Sequence, residues 1–290
     1  MQTIEFERNH VPATFNPNFN TDKSLVFRVP DTAFGGQQNI IFTNSLGKQV
    51  VVPFRVIALP SVSAVSRYSF SGGESITLTG NNLDDVSSVK FDVAGTDVTI
   101  VSKTRKTMVI TMPASTVIST KLRITNASGS IITTQVFINA DQAFVFFRDT
   151  YENGEQDASW GDAGFISGIE KVSGTSSYGK NYQLGNWHLM GFGWNQIARG
   201  SYNYLSFWMK GGLIDHDIWV NSSKSTGGVR AYNSYEKIFV PAGVWTYFKL
   251  DLNTLDLWHN GATFDQLAWS IKGPDNADEK MYLDDVMLIK

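Results

Sequence analysis

The chain has 290 residues, 42% of them hydrophobic and 18% charged, with a formal net charge of −3; this is the composition of a folded globular protein with room for two or three domains. The small negative charge gives no basic footprint for nucleic acid or an anionic membrane surface, both of which are held by clustered Lys and Arg. Cysteine is absent, which excludes disulfides, thiolate metal sites and a cysteine nucleophile, and no apolar run approaches the roughly 18 residues that mark a membrane-spanning helix.

From the N-terminus, the first organised feature is a repeat. The segment from Leu25 to Val56 recurs from Met108 to Ile138, at an offset of 83 residues and later of 82 (Leu25 to Met108, Ile40 to Leu122). Leu25, Phe27, Val29 and Pro30 match Met108, Ile110, Met112 and Pro113, an alternation closed by a proline that predicts a half-buried strand. Ile40, Phe42, Asn44 and Gly47 match Leu122, Ile124, Asn126 and Gly129, each a strand followed by an Asn-x-x-Gly turn in which Gly supplies the left-handed position. The returning strands alternate as Val50, Val52, Phe54, Val56 and as Ile132, Thr134, Val136, Ile138. These are β-sandwich repeats of about 80 residues.

The second copy opens with Pro60, then Gly72, Gly73, Ile76, Leu78, Gly80, Asn82 and Leu83, followed by Val89 and Phe91. This pattern, a double glycine before an alternating strand and a Gly-Asn-Asn-Leu turn, resembles the IPT/TIG immunoglobulin-like domain over most of Leu59 to Ala140. In the first copy Ile4 and Phe6 stand where Val89 and Phe91 would fall, so about one hairpin is missing before Met1. A sandwich without its first strands exposes an edge that proteins normally cover. The chain is therefore expected to be a fragment of a longer protein, whose earlier part would have room for a signal peptide, a lipid anchor and further repeats. The resulting division is 1–58 for an incomplete IPT/TIG domain, 59–140 for a second, and 141–290 for a third domain of different texture.

After Asp141 the strands are rich in Phe, Tyr and Trp and are joined by polar loops with Gly, Asn and Ser. Strands are predicted at Phe144 to Phe147, Asn181 to Leu184, Tyr204 to Lys210, Asp217 to Asn221, Lys237 to Val240, Thr246 to Leu252, Leu267 to Lys272 and Met281 to Ile289. About eight short strands without helical periodicity predict a jelly-roll sandwich. The fold class is thus all-β: tandem immunoglobulin-like sandwiches, then a sandwich like that of a carbohydrate-binding module.

All eight tryptophans lie between Trp160 and Trp269, and nine of the ten tyrosines follow residue 150. Large aromatics beyond the needs of a core mark a recognition surface. Alternation sorts them, because residues i and i+2 of a strand share a face. Ile218 and Val220 point inward, which leaves Trp219 on the other face with Asp217 and Asn221. Leu205, Phe207 and Met209 form an apolar row, which takes Trp208 out of it. Trp269 alternates with Leu267 and Ile271 and is read as core; Trp245 is read as a plug at the sandwich end and Trp258 as turn packing. Trp160, Trp187 and Trp194 lie in the Gly-rich stretches DASWGDAG, LGNWHLMG and FGWNQIARG, and each is open to ligand contact or loop packing. Flat rings bind the C–H faces of a pyranose while polar side chains bind its hydroxyls. Asn186, His188, Asn195, Gln196, Asn221 and Arg230 offer that polar component. The candidate ligand-binding set is Trp160, Trp187, Trp194, Trp219, Asn221 and Arg230.

Carboxylates gather in sequence at Asp149, Glu152, Glu155, Asp157 and Asp162, with Asp284 and Asp285 in the last strand. They read either as a structural Ca²⁺ site, since that ion takes six to eight oxygens, or as a solvated acidic loop; the EF-hand spacing is absent. His10, His188, His216 and His259 are scattered, and none is read as a metal ligand. A glycosidase needs two placed carboxylates. The chain contains acids but no Glu-x-Asp-x-x-Glu strand motif, no Gly-x-Ser-x-Gly elbow, no His-Glu-x-x-His and no phosphate loop, so it is expected not to be an enzyme and to need no cofactor.

The order of IPT/TIG repeats followed by a Trp-rich sandwich, with the stretches YGKNYQL, YNYLSFWMK, VWTYFKLDL and MYLDDVMLIK, resembles the surface glycan-binding proteins of Bacteroidota polysaccharide utilisation loci. The resemblance implies a non-catalytic outer-membrane lipoprotein, its anchor before Met1, that captures xyloglucan, mixed-linkage glucan or β-1,3-glucan for a neighbouring transporter and glycan-binding proteins of the same locus. A jelly-roll glycoside hydrolase and a protein-binding adhesin are the rival readings.

Overall fold

The computed structural model describes residues 1–290 except 22 and 233–236. The described chain is all-β; its helical elements are single 3-10 turns of three residues. It divides into two compact units.

The first unit comprises Met1–Val65, Ser75–Pro113 and Lys121–Val136. It holds a four-stranded sheet in the order Val11–Pro12, Thr3–Phe6, Gly36–Thr43, Gln49–Val56. A seven-stranded path runs Gly129–Ile132, Leu122–Asn126, Ser88–Phe91, Asp97–Lys103, Thr107–Thr111, Ser75–Asn81, Ser61–Val65. The repeated hairpins form in both copies, with Ile40 opposite Val52 and Ile124 opposite Ile131. In each turn the Asn carboxamide oxygen accepts backbone amides: Asn44 from Leu46 at 2.9 Å, Asn126 from Ser128 at 2.9 Å. Gly47 takes the left-handed φ of 74°.

Three expectations for the repeats differ from what is observed. Leu25 to Val29 makes a single bridge, Phe27 to Phe15, whereas its counterpart Thr107–Thr111 lies between two strands. Gln49–Val56 is an edge strand in which Val50, Val51 and Val52 are all exposed, so its alternation does not sort a buried face. The returning strand of the second copy stops at Ile132, and Phe137–Asn139 pairs instead with Ser119–Thr120 and Ser69–Phe70.

The second unit comprises Ser66–Glu74, Ala114–Thr120 and Phe137–Lys290. Its larger sheet is built on the long strand Glu279–Ile289. Tyr204–Lys210 pairs along one side of it and carries Trp245–Asp251 beyond. Along the other side Ser177–Tyr182 pairs with its first half and Phe144–Arg148 with its second. The facing sheet has five strands, β1 (Gln156–Asp157), β2 (Leu189–Ala198), β3 (His216–Ser222), β4 (Lys237–Val240) and β5 (Thr263–Ile271), in the order β1-β2-β5-β3-β4. Between the sheets lies one core containing Phe147, Tyr178, Phe192, Phe207, Trp269 and Leu283.

Tyr204–Lys210 and Lys237–Val240 coincide with the predicted strands, and Trp269 is fully buried. Trp258 packs on Phe264 and donates its indole N–H to the Ile197 carbonyl at 3.0 Å. Trp208 packs against Tyr68 and Tyr247. Trp245 is not an end plug: it opens a strand and lies half-buried beside Tyr282. Gly164–Ser167 and β2 were not predicted as strands, and β2 carries two sequence stretches read as loops, because Gly191 and Gly193 interrupt its apolar alternation.

The acids that suggested a Ca²⁺ site have separate partners. Asp149 pairs with Arg67 and accepts the Thr175 and Ser176 amides. Glu152 pairs with Arg148, Glu155 accepts from Asn195, Asp157 from Tyr178 and Gly164, and Asp162 from Gln183. Among the described residues they do not gather into a ligand group. Asp284 and Asp285 are buried in the central strand. Asp284 accepts the Val172 and Ser173 amides at 3.1 and 3.0 Å, and Asp285 the Ser69 hydroxyl at 2.7 Å.

Burial, with the like charge of Asp285 added, pushes the Asp284 carboxyl above the ordinary range. A carboxyl whose folded pKa exceeds its unfolded value binds its proton more tightly when folded. Its contribution is therefore present at low pH and is lost as pH climbs from about 4 toward neutrality. Asp284→Asn keeps an oxygen for the two amides and removes the charge. Thermal melts are expected to show this variant gaining on wild type by about 3 °C or more as pH rises from about 4.5 to about 7.5; a constant difference would remove Asp284 from the pH dependence.

Candidate functional site

The outward face of the five-stranded sheet follows from alternation. In β3, Ile218 and Val220 enter the core, so Trp219 projects from the opposite face. Directly opposed residues of neighbouring strands share a face. Trp219 opposes Lys237 of β4 on one side and Ser270 of β5 on the other; Ser270 opposes Leu189 of β2, and Leu189 forms a bridge with Trp160. Trp160 and Trp219 therefore end one transverse row, three strand spacings or about 14 Å apart at the backbone. In the next row Asn221, Ala268 and Gly191 oppose one another, and small side chains leave that part of the face low.

A 3-10 turn, Gly228–Arg230, lies over this face. The Ser270 hydroxyl donates to the Val229 carbonyl at 3.3 Å, and the Asn221 amide donates to the Ala231 carbonyl at 2.7 Å. The turn is entered through Gly227 at φ 82°, a conformation that favours glycine. So held, the turn places the Arg230 guanidinium 3.9 Å from the centroid of the Trp160 ring, within cation–π range. Tyr232 follows, its ring 5.8 Å from that of Trp187 and 5.7 Å from that of Trp219. The Lys237 ammonium lies 5.9 Å from the Trp219 ring and pairs with Asp217.

The structure thus brings Trp160, Trp187, Trp219 and Arg230 together. Trp160 and Trp187 are each 42% exposed. Trp194 is 56% exposed but stands in β2 within the register shift between Gly193 and Ile197, and among the described residues no ring contact joins it to the others. Asn221 is fully buried; it anchors the Arg230 turn and is not a surface polar group, a correction to its reading from alternation. Three other proposed polar contacts are also engaged within the fold. His188 is buried and accepts the Gln183 amide, and burial lowers its pKa, keeping the ring neutral. Asn195 donates to Glu155 and to the Asn153 carbonyl, and Gln196 accepts from Thr263. Close packing against His188 also fixes the Trp160 loop: at Gly161, φ 90°, an added Cβ would stand 2.4 Å from the imidazole.

Sequence reasoning missed Tyr232 and Lys237. Tyr232 follows a Gly-rich stretch without strand periodicity, and Lys237 becomes visible only through its register with Trp219. Asn186, beside Trp187, is exposed, and its side-chain amide donates to Gln183 Oε1 at 3.1 Å. Below Trp187, His216, Asp275 and Glu279 form the one group of metal-ligating side chains among the described residues.

Residues 60–140 match the IPT/TIG domain family. Among solved structures, the chain is similar to the surface glycan-binding protein SGBP-B from a complex xyloglucan utilization locus in Bacteroides uniformis, at 18% identity and a TM-score of 0.42 over 100% of this chain and 92% of that one. It is similar to a surface glycan-binding protein of Prevotella bryantii, at 16% identity and a TM-score of 0.44 over 100% and 90%. A family 29 carbohydrate-binding module matches at 17% identity and a TM-score of 0.33, over 51% of this chain and 91% of the module. No curated protein sequence matches the chain.

Removing the buried Asn221 amide leaves the Ala231 carbonyl without that donor, which costs about 1–3 kcal/mol. Asn221→Ala is expected to lower stability by that amount in urea unfolding, whereas the exposed Arg230→Ala stays within about 1 kcal/mol of wild type. Equal losses would contradict the division between anchor and surface residue.

Proposed function

We propose that the outer face of the five-stranded sheet binds a polysaccharide without cleaving it, and that the ligand is a β-glucan such as xyloglucan, mixed-linkage glucan or β-1,3-glucan. The observation that carries this reading is the aromatic strip of Trp160, Trp187, Tyr232 and Trp219, exposed at Trp160 and Trp187 and half-buried at Tyr232 and Trp219, flanked by Arg230 and Lys237. Equatorial pyranoses present apolar faces to such rings and hydroxyls to the cations and to Asn186. A row about 14 Å long spans several sugar units, which suits a chain polymer better than a monosaccharide.

Each aromatic contact adds about 0.5–1.5 kcal/mol beyond area burial. Three of them, less ordering costs, give dissociation constants of about millimolar to micromolar. Affinity of this size suits capture, because many sites on one polymer add avidity. In this reading the protein acts at the cell surface, lipid-anchored, and passes glycan to a transporter of the same locus.

Affinity electrophoresis against β-glucans, galactans and mannans tests the proposal. Retardation by a β-glucan is expected, and Trp160→Ala, Trp187→Ala and Trp219→Ala are each expected to weaken it about tenfold, roughly the 1.4 kcal/mol of one stacking contact. Trp194→Ala, within the β2 register shift, should give the smallest loss of the four. Absence of retardation by every glycan, or retention in all of the first three variants, would overturn the reading; release of reducing sugar would replace it with a hydrolase.

A further inference from the structure

We propose that His216, Asp275 and Glu279 form a binding site for one divalent transition cation of the Zn²⁺ class. His216 opens β3, Glu279 opens the central strand of the opposite sheet, and Asp275 lies in the connection leading to that strand. One ligating atom from each lies within 4.8 Å of those of the other two. Three ligands about 2.0–2.2 Å from a common tetrahedral ion stand about 3.3–3.6 Å apart, inside the 4.8 Å that bounds the three atoms here.

The charges at this place are unbalanced. Asp275 is 2% exposed and Glu279 is 6% exposed, and among the described residues neither carboxylate pairs with Lys or Arg. Among the described residues the one ion-pairing contact to either carboxylate is His216 Nε2 on Glu279 Oε1, and Asp275 has none. Asp275 Oδ1 accepts the Ala277 amide at 3.3 Å, whereas its buried Oδ2 has no hydrogen-bond partner among the described residues. A buried carboxylate oxygen left in this state is costly.

The donor set selects the ion. Ca²⁺ prefers six to eight oxygens, whereas one imidazole nitrogen with two carboxylates, and a fourth position for water, suits Zn²⁺. The surroundings already orient the ligands as outer-shell partners do: Glu279 Oε2 accepts the Leu213 amide at 2.6 Å and the Ile214 amide at 3.3 Å. The Asp275 amide donates to the Asn186 carbonyl, and the Gly185 amide to that of Asp275, both at 2.6 Å. A cation here would clip the start of β3, which carries Trp219, to the turn that carries Trp187. The site does not depend on what the aromatic face binds.

Equilibrium dialysis of the tag-free, EDTA-stripped chain against zinc chloride is expected to give one Zn²⁺ per chain, with Ca²⁺ at least about tenfold weaker and a rise in thermal midpoint on zinc addition. His216→Ala and Asp275→Asn should each weaken zinc binding by about tenfold or more, with near-ultraviolet circular dichroism reporting that the variants fold. Because the wild-type stoichiometry needs no variant, a misfolded substitution leaves the test intact. No saturable zinc binding, binding unchanged in both folded variants, or Ca²⁺ binding as tight as Zn²⁺ would overturn the proposal.

Discussion

Register within the five-stranded sheet is the constraint on which the rest of the site depends. A strand has a side-chain period of two, so a slip of one residue in β3 would send Trp219 into the core and Ile218 or Val220 to the surface. The burial of Ile218, Val220, Leu267, Trp269 and Ile271 between the sheets fixes β3 against β5. Once that pairing is fixed, Ser270 and Leu189 follow across the sheet, and Trp160 is delivered to the far end of the same row. The exposed rings are placed by residues that never touch solvent.

The outward face is also where polar side chains divide into two kinds. Asn221 and Ser270 are buried beneath the 228–230 turn, and their bonds to Ala231 and Val229 decide where Arg230 stands. Arg230 itself is exposed, long and cationic, and its guanidinium carbon stands 3.9 Å from the centroid of the Trp160 ring. Buried polar groups must find partners within the fold. Chemical type alone therefore cannot separate a support such as Asn221 from a surface contact such as Arg230; burial does.

Much of the architecture was legible in the sequence. The repeat, its Asn-x-x-Gly turns and the strands whose apolar alternation is unbroken, such as Tyr204–Lys210, could be read because their burial is one-sided and periodic. The core placement of Trp269 and the outward placement of Trp219 were legible for the same reason. What could not be read depends on contacts distant in sequence. Glu155, Asn195 and His188 look like surface polar residues until the fold supplies their partners. His216 lies 59 residues before Asp275 in the chain and 63 before Glu279, and only the two-sheet closure brings the three together.

The strand that the sequence concealed explains the character of the face. An added Cβ at Gly191 would stand 2.9 Å from the Ala158 carbonyl oxygen, and one at Gly193 would stand 2.6 Å from that of Asp265; neither position has room for a side chain. Those glycines weaken β2 intrinsically and erase its alternation, which is why it reads as a loop. They let the backbone of Ala158 and Asp265 approach closely, while Asn221 and Ser270 nearby are covered by the 228–230 turn. Close backbone packing at β2 thus both removes its sequence signal and secures the strand that bridges to Trp160 through Leu189.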